Sequence, residues 1–578
     1  MTNPLISIVM PVYNTKKEFL DEAIKSCINQ TYTQWELCIC DDGSTKKYIK
    51  PLLNTWAAKD KRIKLIFSEE NNHISSASNK ALSLAKGKYI ALVDHDDVLN
   101  KNALLENVKV IRENPDIDFI YSDEDKIDKK NKLCKPFFKP DWSPEFLLSC
   151  NYICHLSVIR KRLIGEVGGF QSGLDGAQDH DLFLKITEKT KQIHHIPKIL
   201  YHWRISKKSI AYSVNAKRYV FKAARETIGN ALKRRKIKGQ ITNKKLTPTY
   251  QINYKIIGRP LVSIIIPFKD KYDLTKQCIE NIKEKTNYKN YELILVNNNS
   301  KDENLLGYLE ELQKEKNIRI INFNGQFNYS KINNSAVEHA AGEYLLFLNN
   351  DIKIEDSNWI ETMLGNAQQK EIGAVGMKLL LENNRIQHLG VIIGEKITPL
   401  HILRNFPESF YSEVEFPMAT RNFSAVTAAC MMVPKKTFLE VGGFDKKLKI
   451  EFNDIDLCLK IRKKGYRIVS IPFTKIYHFE MQTRKSINQG SIPEDGIYFL
   501  KKWRGQLQDP YHNINLGQSG GNLYISRRSK YYGRYPKGYS GPNIVMRTVM
   551  CFKEHGFVYT YKMAGIHLKA LTTSNIKK

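Results

Sequence analysis

Short apolar runs alternate with amphipathic stretches along this chain. Ile6–Met10, Leu37–Cys40, Ile63–Phe67 and Tyr89–Val93 have the length and composition of buried strands, while Glu18–Asn29 and Ser76–Ala85 place apolar residues at helical spacing. This alternation predicts an α/β fold built on a mainly parallel sheet covered on both faces. Ligands on such sheets sit beyond the carboxyl ends of the strands, so candidate chemistry is sought there.

The pattern occurs twice. Leu5-Ile-Ser-Ile-Val-Met-Pro11 returns as Leu261-Val-Ser-Ile-Ile-Ile-Pro267, and Ser75-x3-Asn79 returns as Ser330-x3-Asn334. Gly168-Gly-Phe170 returns as Gly442-Gly-Phe444, Asp179-His-Asp181 as Asp454-Ile-Asp456, and Tyr201-His-Trp203 as Tyr477-His-Phe479. The offset grows from about 256 residues (Pro11 to Pro267) to about 275 (Asp179 to Asp454), which places an insertion of about twenty residues around Gln387 to Arg421 of the second copy. The expected organisation is a first module over 1–212, a helical linker over 213–258, a second module over 259–504 and a basic tail over 505–578. Within the linker, Asn215–Lys238 reads as a helix, and its run Lys233-Arg-Arg-Lys236 as a solvated face, with anion contact as the alternative.

The strand ends carry acids. Tyr89–Val93 runs into Asp94-His95-Asp96-Asp97, and carboxylates crowded at a sheet edge repel one another unless a cation relieves them. By strand alternation Asp94 and Asp96 face one side, and hard cations such as Mg²⁺ or Mn²⁺ favour such oxygens together with substrate phosphates. An Asp-rich turn is the alternative. Module two has Asn349-Asn350-Asp351 here. The first strand ends in Pro11-Val-Tyr13-Asn14, and the next in Asp41-Asp42-Gly43-Ser44, answered by Asn297-Asn298-Asn299-Ser300 in module two. Short polar side chains there suit a base or a ribose hydroxyl, although the same residues build ordinary turns. Asp181 and Asp456 read as helix N-caps, and Asp179 and Asp454 as catalytic acids or bases because they recur at matched distance. His202 and His478 stand as metal or phosphate contacts, or as structural residues.

Charge narrows the partners. With 90 Lys+Arg against 60 Asp+Glu the net charge is +30, which favours polyanions, anionic lipid or a phosphate-bearing substrate. The ten cysteines show no paired zinc-ligand spacing and read as buried thiols of a reducing compartment. No signal peptide is evident and no apolar stretch reaches membrane-spanning length, so a cytoplasmic protein, soluble or peripheral, is expected. No groove-reading nucleic-acid motif is present, and nucleic acid is not expected as a partner.

Together these landmarks resemble glycosyltransferase family 2, inverting enzymes of the Rossmann-like GT-A fold. Asp94-x-Asp96 is similar to the family's DxD element, and Asp179 to the acid of its Glu-Asp element, with Gln178 and Asn453 standing where the Glu is found. Tyr121-Ser-Asp-Glu-Asp-Lys126, Phe138-Lys-Pro-Asp-Trp-Ser-Pro144 and Asn151-Tyr-Ile153 resemble the first half of tandem O-antigen and rhamnan-type transferases; Leu348-Asn-Asn-Asp351, Gln387-His-Leu-Gly390 and Thr427-Ala-Ala-Cys430 resemble the second. The resemblance implies two such modules in tandem. A nucleotide would contact Pro11, Tyr13, Asn14, Asp42 and Asp94 in module one and Pro267, Asn298 and Asn349 in module two. One Mg²⁺ or Mn²⁺ per module would be held by Asp96 and His202, or by Asp351 and His478. Asp179 and Asp454 would be the catalytic bases. The donors would be UDP-, dTDP- or GDP-linked sugars, and the acceptor a lipid-linked glycan of surface polysaccharide synthesis.

Two alternatives remain at this point. One is a polymerase alternating two sugars, as chondroitin-type synthases do. The other is one catalytic module beside a glycan- or nucleotide-binding one. The stretch Trp503 to Asn515 reads as the end of module two. The basic, aromatic Arg527–Arg534 and the apolar Asn543–Leu571 read as a surface for the cytoplasmic face of an anionic inner membrane, or as packed terminal helices.

Overall fold

In the computed structural model the chain is described over residues 3–205, 218–243, 248–394, 399–408, 418–479, 493–506, 509–517 and 524–535. Asn543–Leu571 lies outside the described residues.

Module one is a nine-stranded sheet made of β1 (Ile6–Val12), β2 (Trp35–Asp42), β3 (Ile63–Ser68), β4 (Tyr89–Leu92), β5 (Val98–Leu99), β6 (Phe119–Ile127), β7 (Leu133–Phe137), β8 (Ser157–Arg160) and β9 (Ile193–Arg204). The order is β3-β2-β1-β4-β8-β6-β9-β5, with β7 on β6. A hairpin of β10 (Gly239–Thr242) and β11 (Gln251–Tyr254) follows. Module two contains β12 (Val262–Phe268), β13 (Tyr291–Asn297), β14 (Ile318–Asn322), β15 (Tyr344–Leu348), β16 (Ile352–Ile354), β17 (Ile372–Leu380), β18 (Ile386–His388), β19 (Val391–Ile393), β20 (Pro399–His401), β21 (Arg421–Phe423), β22 (Cys430–Pro434) and β23 (Arg467–His478). Its main order, β14-β13-β12-β15-β22-β17-β23-β16, repeats that of module one. Register repeats as well: Ile6 lies opposite Trp35 and Tyr89, as Val262 lies opposite Tyr291 and Tyr344.

The sheets are less parallel than the apolar runs suggest. β3, β2, β1 and β4 are parallel, but β8 runs antiparallel to both β4 and β6. A strand buried on both faces reads the same in either direction, so periodicity carries no sign of the reversal. On one face Ile6, Ile8 and Met10 meet Leu20 and Ile24 of the helix Lys17–Ile28; on the other, Val9, Cys38 and Cys40 meet Ala77 and Ala81 of the helix His73–Ser83.

Several repeated residues serve this scaffold. Ser7 Oγ donates to Glu36 and accepts from Gly87 N–H, and Ser263 does the same with Glu292 and Gly342. Asn79 grips Phe170 through both backbone groups, as Asn334 grips Phe444. A Cβ on Gly169 (φ +69) would stand 2.6 Å from Asn79 Oδ1, and one on Gly443 (φ +62) 2.7 Å from Asn334 Oδ1, so both positions require glycine.

Asp181 and Asp456 are not helix caps. Asp181 pairs with Lys185 at 2.8 Å and faces Arg234 of the helix Arg218–Arg234 at 3.8 Å. Asp456 accepts Trp503 Nε1–H at 2.9 Å and pairs with Lys502 at 2.7 Å in the helix Pro493–Trp503. Each therefore anchors the helix that closes its own module. The stretch expected as a helical connector carries the helix Arg218–Arg234, whose Ala224, Ile228 and Leu232 join the module-one core. The insertion of module two forms the β19–β20 hairpin.

The modules touch. Arg467 forms a forked pair with Glu145 (2.8 and 3.0 Å) and also bonds Glu371, while Ser143 donates to Asn422 at 2.8 Å. Downstream of module two the chain crosses back. Asp509 accepts from Ile393 N and Ser424 Oγ of module two, and the next residue, Pro510, accepts from Asp141 N of module one. The Arg527–Arg534 stretch is neither free nor helical: Tyr531 and the adjoining Tyr535 are buried with Phe138 and Ile199 of module one.

Candidate active sites

β8 runs antiparallel to β4, so the loop entering β8 lies beside the exit of β4. That loop, Asn151–Leu156, links two of the expected site residues. Asn151 Nδ2 donates to Asp179 Oδ2 at 2.8 Å, and His155 Nε2 stands 3.5 Å from Asp94 Oδ2. Asp179 occupies the first turn of the helix Gln178–Thr187, where its Oδ1 accepts His180 N–H. The loop is braced from below by Lys139, a fully buried cation that bonds Glu124 and the carbonyls of Ile153 and His155.

The carboxylates after β4 have separate surroundings. Asp97 is buried and accepts from Tyr201 Oη and Arg204 N; burial, then the charges of Asp96 and Asp94, raise its carboxyl well above the ordinary value. Burial also raises Asp94, but the facing His155 overrides it and holds the carboxyl below its ordinary value. His155, stacked on Tyr201, resists its own burial and is raised to about 9 by Asp94. Asp96 is raised by burial and keeps its side chain 26% exposed, with the His95 ring 3.9 Å away. Asp94, 35% exposed, and Asp96 both reach open space from this turn, whereas Asp97 does not.

At the neighbouring strand ends, Pro11 is buried in β1 and Tyr13 is exposed. Asn14 adopts φ 47, and its side-chain oxygen accepts from Thr45 and Lys46, so it shapes the loop beside the cleft rather than offering that oxygen to a ligand. Asp42 is buried and accepts Asn72 N–H, while Asp41 keeps a buried Oδ1 without a hydrogen-bond partner. His202 is also buried, its Nδ1 bonded to Asp125 at 2.5 Å.

Module two repeats the layout with different atoms. The Thr427–Cys430 loop enters β22, antiparallel to β15. Ala428 N donates to Asp454 Oδ2 at 3.1 Å, and Ala429 O accepts from Asn349 N at 3.1 Å. Burial raises the Asp454 carboxyl. Asp351 Oδ1 lies 3.2 Å from His478 Nε2, and Asn349 Nδ2 lies 3.3 Å from the same nitrogen. Asn298 is buried and donates to Phe323 O and Gly325 O, and Pro267 is half-buried at the end of β12. His388, from the Gln387-His-Leu-Gly390 stretch, accepts Thr427 N–H and meets His401 of the inserted hairpin at 2.8 Å, ring nitrogen to ring nitrogen.

Asp351 Oδ1 is buried and accepts no hydrogen bond, which fits an ion-ligating oxygen. Two ligand atoms at right angles, each about 2.1 Å from a hard cation, lie about 3.0 Å apart, close to the Asp351–His478 separation. Among the described residues no group of three or more His, Cys, Asp or Glu side chains gathers as a metal cage. One or two protein ligands completed by substrate phosphates is the usual arrangement for Mg²⁺. The described cysteines are free, and Cys38 and Cys40 lie buried inside β2, away from any such role.

Asn151, His155, Asp97, Asp125, His388 and His401 are the site residues to which sequence reasoning gave no role. Asn151, Asp125 and His388 fell inside motifs singled out by resemblance and Asp97 inside the acidic strand end, which was the available signal; His155 and His401 carried none.

The repeated α/β sheet is the architecture expected of a GT-A module, and family comparison agrees. The model for glycosyl transferase family 2 matches residues 7–168 and 263–419, one stretch per module and together more than half the chain. The chain belongs to glycosyl transferase family 2, as two GT-A modules in tandem. A relative from Sinorhizobium fredii, described as uncharacterized protein y4gI, is 38% identical over 90% of this chain and 59% of its own length. The O-antigen biosynthesis protein RfbC of Myxococcus xanthus is 33% identical over 89% of this chain and 40% of its own. The chondroitin synthase of Escherichia coli is 34% identical over 34% of this chain and 29% of its own. The chain thus spans less than two thirds of the length of each of these relatives.

Proposed function

We propose that the chain is a bifunctional inverting glycosyltransferase that moves sugars from UDP-, dTDP- or GDP-linked donors onto a lipid-linked glycan in bacterial surface polysaccharide synthesis. The observation that carries this is the single loop in each module that joins a helix-borne aspartate, Asp179 or Asp454, to the strand-end turn bearing Asp94 or Asn349.

The nucleotide lies across the strand ends beside Pro11, Tyr13 and Asp42 in module one, and beside Pro267, Asn298 and Asn349 in module two. Asp96 with His202, and Asp351 with His478, would hold one Mg²⁺ or Mn²⁺ each, which would supply positive charge against the departing diphosphate. Asp179 and Asp454 each take the proton of an acceptor hydroxyl as it attacks the anomeric carbon from the face opposite the leaving group, and the single displacement inverts the centre. Asn151 and the Ala428 N–H hold these carboxylates while leaving lone pairs for the incoming proton.

A second reading, a polymerase alternating two sugars, draws support from the likeness to chondroitin synthase and from the direct contact between modules. A cytoplasmic site on the inner-membrane face is supported by Arg527, Arg528, Lys530 and Arg534, exposed on the docked downstream segment. Among the described residues no helix is long and apolar enough to cross a membrane.

The test is a panel of nucleotide sugars with Mn²⁺ or Mg²⁺, scoring nucleoside diphosphate release and product linkage for wild type, Asp179→Asn and Asp454→Asn. Each substitution is expected to abolish one donor or one linkage. Undiminished transfer in both variants removes the assignment, and loss confined to Asp179→Asn turns module two into a binding module.

A further inference from the structure

His202 and His478 occupy matching places at the ends of β9 and β23, yet their rings are held differently. His202 Nδ1 bonds Asp125 Oδ1 at 2.5 Å across the β6–β9 ladder, where the two residues are partners in register. A carboxylate has no proton to give, so the ring donates from Nδ1 and turns Nε2 away from Asp125. Module two has no such carboxylate: Leu379, Leu380 and Leu381 stand where module one has Asp123, Glu124 and Asp125, and His478 Nδ1 is buried without a hydrogen-bond partner.

Asp125 has a second partner from far away in sequence. Tyr535 Oη donates to its Oδ2 at 2.5 Å, and both residues are buried. The segment bearing Tyr535 is fixed on module one at further points. Asn513 Nδ2 donates to Asp123 and to Lys139 O, Asn515 Nδ2 donates to Pro197 O at 2.9 Å, and Tyr531 Oη accepts Ile199 N–H at 2.7 Å. Leu516, Ile525, Tyr531 and Tyr535 close an apolar cluster with Phe138 and Ile199.

We infer that the segment following module two is part of module one's cation site. In this arrangement Tyr535 is a positioning residue that fixes Asp125, and Asp125 in turn fixes the ring and tautomer of His202. The inference rests on the proposed role of His202 as a cation ligand. Its physical basis is general: a carboxylate behind a ligating imidazole sets ring orientation and basicity, and losing such partners typically weakens metal affinity by about 10–100-fold.

The experiment measures Mn²⁺ binding by electron paramagnetic resonance, with the full chain in an Asp351→Asn background so that the signal comes from module one. Asp125→Asn is expected to weaken binding by about 10-fold or more, and Tyr535→Phe, one bond further out, by about 3–10-fold. Tyr531→Phe is the control. It removes an anchor of the same segment without touching Asp125, so it is expected to lower the unfolding temperature while Mn²⁺ affinity stays at the background value. Wild-type affinity in Tyr535→Phe, or equal weakening in Tyr531→Phe, overturns the inference. His202→Ala separates the two levels. If it weakens Mn²⁺ binding while Tyr535→Phe does not, only the positioning role fails; if it has no effect, the ligand role and the inference built on it fail together.

Discussion

Asn151 and Asp179 are joined by a 2.8 Å hydrogen bond between two segments that meet only in the folded module, the loop before β8 and the first turn of the helix Gln178–Thr187. The bond fixes one carboxylate oxygen by an amide that cannot take its proton away, which suits a base that must accept one at a defined place.

The two residues should therefore separate in a kinetic comparison. Asp179→Asn removes the base and is expected to lower kcat of one of the two transfers by about 10³-fold. Asn151→Leu leaves the base but frees it to rotate, and a fall of about 10-fold in the same kcat, with the other transfer unchanged, is the expected result. Loss of both transfers in Asn151→Leu would indicate a folding defect rather than a positioning one.

Asp454 gives a pH signature. Burial raises its carboxyl above the ordinary 3.8. A general base works ionised, so transfer by module two is lost as pH falls through the raised value and is unaffected by this group on the alkaline side. In an Asp179→Asn background the acid limb of kcat is expected to lie above that of an ordinary aspartate and to follow one proton. A limb at or below 3.8 would contradict the burial described for Asp454.

Chelation and substitution should agree on the cation. EDTA is expected to abolish both transfers, and added Mn²⁺ to restore them. Asp351→Asn is expected to raise the Mn²⁺ concentration for half-maximal module-two transfer by about 10-fold or more while the module-one requirement stays fixed. Recovery of the variant at wild-type Mn²⁺ levels would remove Asp351 from the ligand set.

Contact between the modules has its own readout. Arg467→Met breaks the fork to Glu145 and the bond to Glu371, and a loss of about 1–3 kcal/mol in urea unfolding is expected. Arg467→Lys should restore little, because a single ammonium cannot reproduce the planar fork. The bonds to Arg467 and Lys191 lower the Glu371 carboxyl to about 2 from 4.5. A depressed folded value means that this pairing contributes fully above the unfolded value and is lost as pH falls through the folded one. The difference between wild type and Arg467→Met should accordingly shrink between about 4.5 and about 2; since Glu371 is half exposed, its share is small.

Much of the fold was legible in the chain because the duplication wrote it twice. Pro11 and Pro267, Asp179 and Asp454, and Tyr201 and Tyr477 marked equivalent places before any contact was known. What the repeat could not say was why a residue recurs. Asn79 and Asn334 recur to hold a glycine turn, and Asp181 and Asp456 to anchor a closing helix, roles that depend on partners such as Phe170 and Trp503 met only after folding. His155 escaped notice because its partner Asp94 lies sixty-one positions earlier in a different motif. Tyr535 escaped because an irregular segment has no period from which burial could be read.

The downstream segment has a consequence for the order in which this molecule is made. Residues 509–535 leave the ribosome only after module two, so during synthesis module one waits with the binding surfaces for Asn513, Tyr531 and Tyr535 still uncovered. Chains generally fold from the amino terminus forward; here the half that is translated first is the half that is completed last.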